Sequence, residues 1–305
     1  MSLRTLMFIA CGVLLSACAT PAAEDAPRGA TADATPAPTP ALFVAHNANS
    51  EIYLLGCVHL LRAGDDWNAP RVARALARSR VIWTEIPLTP EVEAQGQALA
   101  SQLGVSSDRP LASWLDATQQ AQLADLEQRY GLPPAALAQM RPWLASLVLS
   151  GVPIVRAGFD PQAGVDRGVF NWGLANGRTM RAFETPEQQI HMFSAWDDDA
   201  QRGMLTYALV HADHSAESAG ALNEAWSRGD VGAMQRLTTD QIRTQYPRFY
   251  SVFYADRNTA WSAALVGEMH GAGVEFVAVG AGHLVGPEGL IAQLRAHGVR
   301  VDRVS

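Results

Sequence analysis

Two Gly-x-x-His motifs lie near opposite ends of the chain, and each follows an apolar segment. The first, in YLLGCVHLL, ends in His59, and the second, in FVAVGAGHLVG, ends in His283. Glycine at a strand end lets the backbone or a ligand approach closely, and neutral imidazole is the commonest metal ligand. Glu85 ends a third apolar segment, VIWTE, where a carboxylate is costly unless it is paired or bound to metal. These three residues predict a hydrolytic metal site with open positions for water.

Other histidines are expected to lie outside this site. A third Gly-x-x-His motif ends in His270, but it falls near the end of a predicted helix, where the helix dipole favours histidine. His211 and His214 are three residues apart on a polar helical segment and could bind a surface metal only weakly. We interpret all three as structural or surface residues.

Apolar strands at both ends of the chain and helices in its middle must position the candidate site. Predicted strands cover residues 42–46, 51–60, 81–86, 152–158, 178–183, 274–279 and 299–304. Predicted helices cover residues 71–80, 91–150 with interruptions, 186–193, 197–245, 255–271 and 287–296. This order predicts an α+β fold in which a central mixed β-sheet is built from the N- and C-terminal segments, with a helical insertion in the middle.

Composition limits the class of protein. The chain has 305 residues, of which 48% are hydrophobic and 17% are charged, so it can bury a core. Its formal net charge of -7 argues against nucleic-acid binding, which needs a basic surface. Three cysteines are too few for a disulfide scaffold.

The N-terminal segment is typical of an export signal. Residues 1–17 carry one basic residue, an apolar run and then small residues, followed by Cys18 in a sequence that resembles a bacterial lipobox. We expect Cys18 to be lipidated and to anchor the protein in a membrane. The alternative is an ordinary signal peptide that contains a cysteine. Because Ala19 is not aspartate, the usual sorting pattern predicts the outer membrane, facing the periplasm.

The remaining chain divides at a change in composition. Residues 18–41 are rich in Ala, Pro and Thr and lack the large apolar side chains that would offset the entropy of ordering. They are predicted to form a disordered tether. Residues 42–305 are predicted to form a single domain.

Several motifs together resemble the TraB/PrgY/GumN family, whose animal relatives are the Tiki proteins. They are YLLGCVHLL, WTEI, RPWLASL and the C-terminal VAVGAGHLVGPEGLIAQLRAHGV, with GVD, FETPEQQ and DRNTAW in the family's order between them. The likeness covers nearly all of residues 42–305. It implies a fold shared with erythromycin-esterase-like and haem-binding ChaN-type proteins. From the Tiki branch it implies a divalent-metal-dependent peptidase that favours manganese or cobalt.

The resemblance also implies roles for particular residues. The family's two histidines fall on His59 and His283 and its glutamate on Glu85, which form the implied metal set. The family's Arg-Asn pair falls on Arg257 and Asn258, which are implied to act in catalysis.

Three questions stay open from the sequence. Glu85 is either a ligand or the general base, and in the second case a carboxylate such as Asp166 must complete the metal shell. Arg257 and Asn258 either polarise a substrate carbonyl or hold Glu85 in place. Asp166 and Glu184 either support the site or serve as helix caps and braces.

Cys57 departs from the family pattern, which commonly has threonine after the first glycine. On a strand, Cys57 and His59 project from the same face. A thiolate there could become a ligand and shift the metal preference toward zinc. The alternative, which we favour, is a residue of similar size packed beside the site.

The leading hypothesis is a lipid-anchored, metal-dependent hydrolase that acts on a peptide or protein. The alternative is a haem-, iron- or peptide-binding lipoprotein that uses the same residues without turnover. A third hypothesis, from the family's pheromone-shutdown members, is a protein that sequesters or cuts a signalling peptide. The sequence does not define the substrate, the physiological metal or the oligomeric state.

Overall fold

A six-stranded mixed sheet joins the two ends of the domain. The structure is a computed structural model that describes residues 37–305. Its strands are β1 (Leu42–His46), β2 (Ser50–Cys57), β3 (Leu61–Arg62), β4 (Val81–Thr84), β5 (Phe159–Asp160), β6 (Thr179–Ala182), β7 (Gly273–Gly280) and β8 (Arg300–Arg303). The central sheet has the order β6-β4-β7-β2-β1-β8, and β3 pairs with β5 in a separate ribbon. The four strands β6, β4, β7 and β2 are parallel, while β1 is antiparallel to both β2 and β8.

Helices fill the middle of the chain and both faces of the sheet. They are α1 (Pro70–Arg78), α2 (Pro90–Gly104), α3 (Ala117–Arg129), α4 (Pro134–Leu137), α5 (Pro142–Arg156), α6 (Val165–Ala175), α7 (Pro186–Ser194), α8 (Asp198–His211), α9 (Ser215–Arg228), α10 (Val231–Gln235), α11 (Gln241–Gln245), α12 (Pro247–Tyr250), α13 (Asp256–Glu268), α14 (Ala281–Leu284) and α15 (Leu290–Ala296). Two π-helical turns, Arg236–Asp240 and Ser251–Ala255, interrupt the last part of the insertion. The α+β fold, with its sheet built from both ends of the chain, is confirmed.

The parallel strands are long apolar runs because both of their faces are covered. In β2 the residues from Ile52 onward are buried, and in β7 those from Phe276 onward are buried. Strands buried on both faces lose the alternation of apolar and polar residues. The predicted hairpin forms between β1 and β2, and β8 returns to pair with β1.

One predicted strand is wrong. Residues 152–158 lie mostly in α5, a helix whose residues from Pro142 to Leu149 are all buried. An apolar run without a polar face gives no helical periodicity, so a buried helix and a buried strand look alike in sequence. Here α5 is the centre of the insertion and packs against α8 in a hydrophobic cluster separate from that of the sheet.

Trp226 packs the helical insertion against the sheet. Its side chain, on α9, is 1% exposed and belongs to the hydrophobic cluster of the sheet. The indole Nε1–H donates a hydrogen bond of 2.7 Å to the carbonyl oxygen of Gly56 in β2. The contact fixes α9 beside the strand end that leads to His59.

The predicted export signal and lipidated Cys18 lie outside the described residues, as does most of the predicted tether. The chain already contacts the domain at Thr39, whose backbone N–H donates to Ser227 at 2.6 Å. This contact lies two residues before the predicted end of the tether. In residues 37–305, no helix has both the length and the apolar character needed to cross a bilayer.

Replacing Trp226 with alanine tests the connection between insertion and sheet. The change removes a large buried side chain and the hydrogen bond to Gly56, so we expect the free energy of unfolding to fall by about 3–5 kcal/mol. Leu174→Ala, at a side chain that is 52% exposed, is the control and should change it by less than about 0.5 kcal/mol. Equilibrium urea unfolding measures both. A loss below about 1 kcal/mol for Trp226→Ala would contradict the assignment.

Candidate active site

Three strands end side by side at one edge of the sheet, and the candidate residues follow them. The parallel register pairs Cys57 at the end of β2 with Gly280 at the end of β7. His59 comes two residues after β2, and Glu85 comes directly after β4. His283 lies on α14, the single helical turn that follows β7. Because carboxyl ends of parallel strands share an edge, the fold brings together the three residues predicted from sequence.

The two imidazoles face the same oxygen of Glu85. Its Oε1 is 3.8 Å from His59 Nε2 and 3.9 Å from His283 Nε2. The backbone N–H of Gly280 donates to the same Oε1 at 2.8 Å. A Cβ at position 280 would lie 2.8 Å from His59 Nε2 and 3.2 Å from Glu85 Oε1, so only glycine fits there. All three side chains are buried.

The guanidinium of Arg257 connects the acidic groups with one histidine. Its Nη2–H donates to Glu85 Oε2 at 2.7 Å, and its Nε–H donates to Glu184 Oε1 at 2.7 Å. Its Nη1–H donates to His283 Nε2 at 2.9 Å. The amide of Gln189 donates to both carboxylates at 3.3 Å. One cation thus pairs with both the buried carboxylate of Glu85 and the less buried carboxylate of Glu184.

The Nδ1 atom of each imidazole lies close to a side-chain oxygen atom. His283 Nδ1–H donates to Asn258 Oδ1 at 2.7 Å, and the amide group of Asn258 in turn donates to the carbonyl of Glu288. We assign the proton of His283 to Nδ1, because Asn258 Oδ1 can only accept, and this leaves Nε2 with a lone pair. His59 Nδ1 is 3.1 Å from Asp166 Oδ2, although the contact is outside hydrogen-bond geometry. His59 Nε2 makes no hydrogen bond with any described residue.

These surroundings fix the charges of Glu85 and His283. Burial opposes ionisation of Glu85, but Arg257, the two neighbouring imidazoles and the Gly280 N–H together lower its pKa to about 2. Burial, reinforced by the Arg257 cation, lowers the pKa of His283 to about 3. At neutral pH the site therefore holds an ionised carboxylate and a neutral imidazole.

His59 and Cys57 respond to the nearby carboxylates. Burial opposes the charged form of His59, but Asp166 outweighs it and raises the pKa of the imidazole. Burial first, then the negative charges of Asp166 and Glu85, raise the pKa of the Cys57 thiol well above its usual value. Its Sγ–H lies 3.8 Å from the carbonyl of Leu55. A neutral, packed Cys57 agrees with the favoured interpretation of that residue.

The other predicted site residues take distinct places. Arg257 braces Glu85 directly, whereas Asn258 contacts His283 and does not reach Glu85. Glu184 forms an ion pair with Arg257, and the N-cap of α7 is Thr185. Cys18 lies outside the described residues.

Sequence reasoning assigned no site role to Gln189 or Trp261, and it gave no sign of the two π-helical turns. Trp261 Nε1–H donates to Glu184 Oε1 at 3.1 Å, alongside the contact of Gln189. Both residues lie inside motifs that carry the family resemblance, FETPEQQ and DRNTAW, so a signal existed. The π-helical turn Ser251–Ala255 places the carbonyl oxygen of Phe253 3.1 Å from Arg257 Nη1. The sequence contains no pattern that predicts a π-helical turn.

A cavity of about 120 Å³ opens above these groups. Its floor contains His59, Glu85, Arg257 and His283. Its walls come from the helical insertion and include the apolar side chains of Ile154, Met192, Phe193, Leu222, Phe253 and Tyr254. The polar floor of the cavity therefore meets apolar side chains supplied by the helices of the insertion.

The nitrogen and oxygen donors of the site are of the types that bind divalent metal ions, but their spacing in the structure is not that of a metal site. In residues 37–305, no group of three or more His, Cys, Asp or Glu side chains is arranged to hold a metal. His59 Nε2 is an unpartnered buried donor, and Glu85 is ionised. The Nε2 lone pair of His283 is already engaged by Arg257. Any metal bound by all three residues would therefore have to displace Arg257 from His283.

Fold and site define an α+β protein with a buried histidine–carboxylate–arginine centre at the carboxyl edge of parallel strands. The sequence model described as the TraB/PrgY/gumN family matches residues 41–303, almost the entire described chain. The chain therefore belongs to the TraB/PrgY/gumN family. Comparison with curated proteins gives no match, and comparison with solved structures gives none.

Arg257→Met tests whether the buried cation holds this centre together. Its loss leaves the carboxylates of Glu85 and Glu184 buried without compensation, so we expect the free energy of unfolding to fall by about 3–5 kcal/mol. Arg248→Met is the matched control: this arginine is largely exposed and pairs with Asp197, so its loss should cost less than about 1 kcal/mol. Urea unfolding with a chelator present, so that no metal replaces the cation, measures both. Equal losses in the two variants would refute the role of Arg257.

Proposed function

We propose that this family member is a divalent-metal-dependent hydrolase that acts on peptide bonds, held at a membrane by a lipid on Cys18. The observation that carries the proposal is the convergence of His59 Nε2 and His283 Nε2 within 4 Å of a single oxygen of Glu85, on the floor of the cavity. His59, Glu85 and His283 would hold the ion. Manganese or cobalt is favoured by the family resemblance, and zinc also suits the donor set.

The partners of the two imidazoles support this assignment. Metal-binding histidines usually give their second nitrogen to a carboxylate, carbonyl or amide that fixes the ring. Asp166 approaches Nδ1 of His59 and Asn258 accepts from Nδ1 of His283, so Nε2 is the nitrogen that each ring would offer to the ion, once Arg257 has released that of His283. Asp166 thus lies on the side of His59 away from Glu85. Its place favours Glu85 as the ligand over a scheme in which Asp166 completes the shell.

The other roles in hydrolysis fall to side chains of this protein. A bound divalent ion supplies a nucleophile by lowering the pKa of its water and polarises the substrate carbonyl. Release of His283 by Arg257 frees the Nη1–H donor, which can then bind a substrate carbonyl oxygen and stabilise its developing negative charge. Glu184, which also accepts a hydrogen bond from Trp261, keeps the guanidinium in position while its Nη1–H donor turns from His283 to the substrate carbonyl. The apolar wall of the cavity excludes water around the reacting groups.

The size of the cavity favours a peptide side chain over haem. An apolar cavity of roughly 150 Å³ takes one benzene molecule, whereas pockets for larger ligands measure about 300–1,000 Å³. At about 120 Å³ the cavity accommodates a single side chain. A haem titration distinguishes the two functions, because a Soret shift that is lost in His59→Ala would favour the carrier.

Metal analysis and peptide hydrolysis test the proposal together. The full-length protein, stripped with a chelator and reloaded with manganese, cobalt or zinc, should retain about one ion per chain by mass spectrometry. His59→Ala and His283→Ala should lose the ion and hydrolysis of a peptide panel, whereas His297→Ala, an exposed histidine, should keep both. Asn258→Ala should weaken the metal affinity by about 10–100-fold, because the His283 ring loses its orientation. Equal metal content in the wild type, His59→Ala and His283→Ala would disprove the metal site.

Lipid anchoring is tested separately on the full chain in a bacterial host. Metabolic labelling with an alkyne analogue of palmitate should mark the protein, and the protein should sediment with outer membranes. Cys18→Ser should lose the label and leave the membrane fraction, while Cys57→Ser, at the buried thiol, should keep both. Undiminished labelling of Cys18→Ser would show that Cys18 is not the anchor.

A further inference from the structure

The side-chain amide of Gln189 contacts both carboxylates of the candidate active site. Gln189 lies on α7 and is 5% exposed. Its Nε2 donates to Glu85 Oε2 and to Glu184 Oε2, each at 3.3 Å. Gln189 also lines the cavity. Its amide therefore touches both the charged groups of the site and the space in which a ligand would bind.

The two carboxylates fix the orientation of this amide. Ionised carboxylates only accept hydrogen bonds, and of the two ends of the amide only Nε2 can donate. A flipped amide would turn Oε1 toward two negatively charged groups. Oε1 of Gln189 is therefore the end that is turned away from Glu85 and Glu184, and within residues 37–305 it accepts no hydrogen bond. The cavity thus has an acceptor beside Glu85 that is available to a ligand.

The guanidinium of Arg257 lies next to this amide. Its Nη2 donates to the same two oxygens, Glu85 Oε2 at 2.7 Å and Glu184 Oε2 at 2.8 Å. Its other three N–H groups donate to Glu184 Oε1, the carbonyl of Phe253 and His283 Nε2. When His283 is released, one N–H donor becomes free and four hydrogen bonds still hold the guanidinium in place. A fixed donor and a fixed acceptor then lie side by side.

Such a pair is complementary to the backbone of an extended polypeptide. In a β-strand, the N–H and C=O groups of one residue point to the same side, and both bond to the same partner in antiparallel pairing. The Nη1–H donor of Arg257 and the Oε1 acceptor of Gln189 offer the matching groups. In the proposed reaction Arg257 binds the carbonyl that is cleaved. The N–H on the same side then belongs to the residue that supplies this carbonyl.

We propose that Gln189 is a substrate-binding residue whose Oε1 accepts the backbone N–H of the residue on the acyl side of the cleaved bond. Substrates must then carry a secondary amide at this residue. Proline, an N-methylated residue or a hydroxy acid lacks the donor there and leaves the acceptor unpaired, which disfavours its binding. This inference rests on the proposed peptidase function and adds a rule for its choice of substrate.

An ester scan of a peptide substrate tests this role on the full-length protein. The probe is a fluorescein-labelled peptide of alanine and leucine with both ends blocked, in which each backbone N–H in turn is replaced by an ester oxygen. In the wild type at saturating metal, one replacement, at the residue whose carbonyl is cleaved, should lower kcat/KM by about tenfold. Mass spectrometry of the products identifies the cleaved bond.

Substitution of Gln189 should remove this sensitivity. Gln189→Met keeps the length of the side chain without its amide, so kcat/KM for the all-amide peptide should fall by about tenfold, and the ester replacement should then cost less than about twofold. Gln201→Met, at a buried glutamine that is not among the residues lining the cavity, should behave like the wild type. Gln189→Leu is the second variant if Gln189→Met does not fold, as judged by urea unfolding.

The scan separates substrate binding from support of Glu85. If Gln189 only holds Glu85, its loss slows hydrolysis of the amide and of the ester-containing peptides by the same factor. Equal costs of the ester replacement in the wild type and Gln189→Met would therefore overturn the proposal. The absence of any ester cost in the wild type would also overturn it. Metal content, measured by mass spectrometry, shows that both proteins carry the ion during the assay.

Failure of this inference is distinguishable from failure of the hydrolase. With a chelator present, fluorescence anisotropy measures binding of the same peptides without turnover. An ester cost in binding that Gln189→Met removes, without hydrolysis under any metal, would support the N–H contact and reject the hydrolase. Hydrolysis with equal ester costs in the two proteins would support the hydrolase and reject the role of Gln189. Neither binding nor hydrolysis of the peptides would reject both.

Discussion

The ionised carboxylate of Glu85, buried at the end of a parallel strand, is the constraint on which the rest of the site depends. A charge in such a place must be compensated by a counter-ion and by hydrogen bonds. Arg257 supplies the counter-ion and the Gly280 N–H supplies a backbone donor. The same guanidinium also donates a hydrogen bond to Glu184, and Glu184 accepts another from Trp261. A continuous network of ion pairs and hydrogen bonds therefore connects the sheet with α13.

Strand register sets the geometry of this centre. Because β2 and β7 are adjacent, parallel and end in register, the segments that leave them turn over the same edge and carry His59 and His283 toward Glu85. The approach is so close that position 280 has no room for a side chain. The first Gly-x-x-His motif starts one residue before the end of β2 and the second starts at the last residue of β7, so the two motifs are offset by one residue in the strand register.

Sequence predicted what depends on local pattern and missed what depends on tertiary contact. Apolar strands that end in Gly-x-x-His or in Glu85 identify the sheet edge, because a polar residue there needs a partner. The same reasoning failed at residues 152–158, where burial on all sides erased the helical period. It also gave Gln189 no role, because its contact with Glu85 spans 104 residues and depends on how α7 packs.

Two separate hydrophobic clusters contribute residues to the candidate active site. Glu85 and the two histidines follow strands of the sheet, whose cluster holds the strand ends in register, whereas Arg257 lies on α13. The cavity walls belong mainly to the insertion, which has a cluster of its own around α5 and α8. A change at Arg257 disturbs the charges that the sheet must carry. The cavity walls and the buried charges thus come mainly from different parts of the chain, and they meet at Phe253, which lines the cavity and whose carbonyl accepts from Arg257.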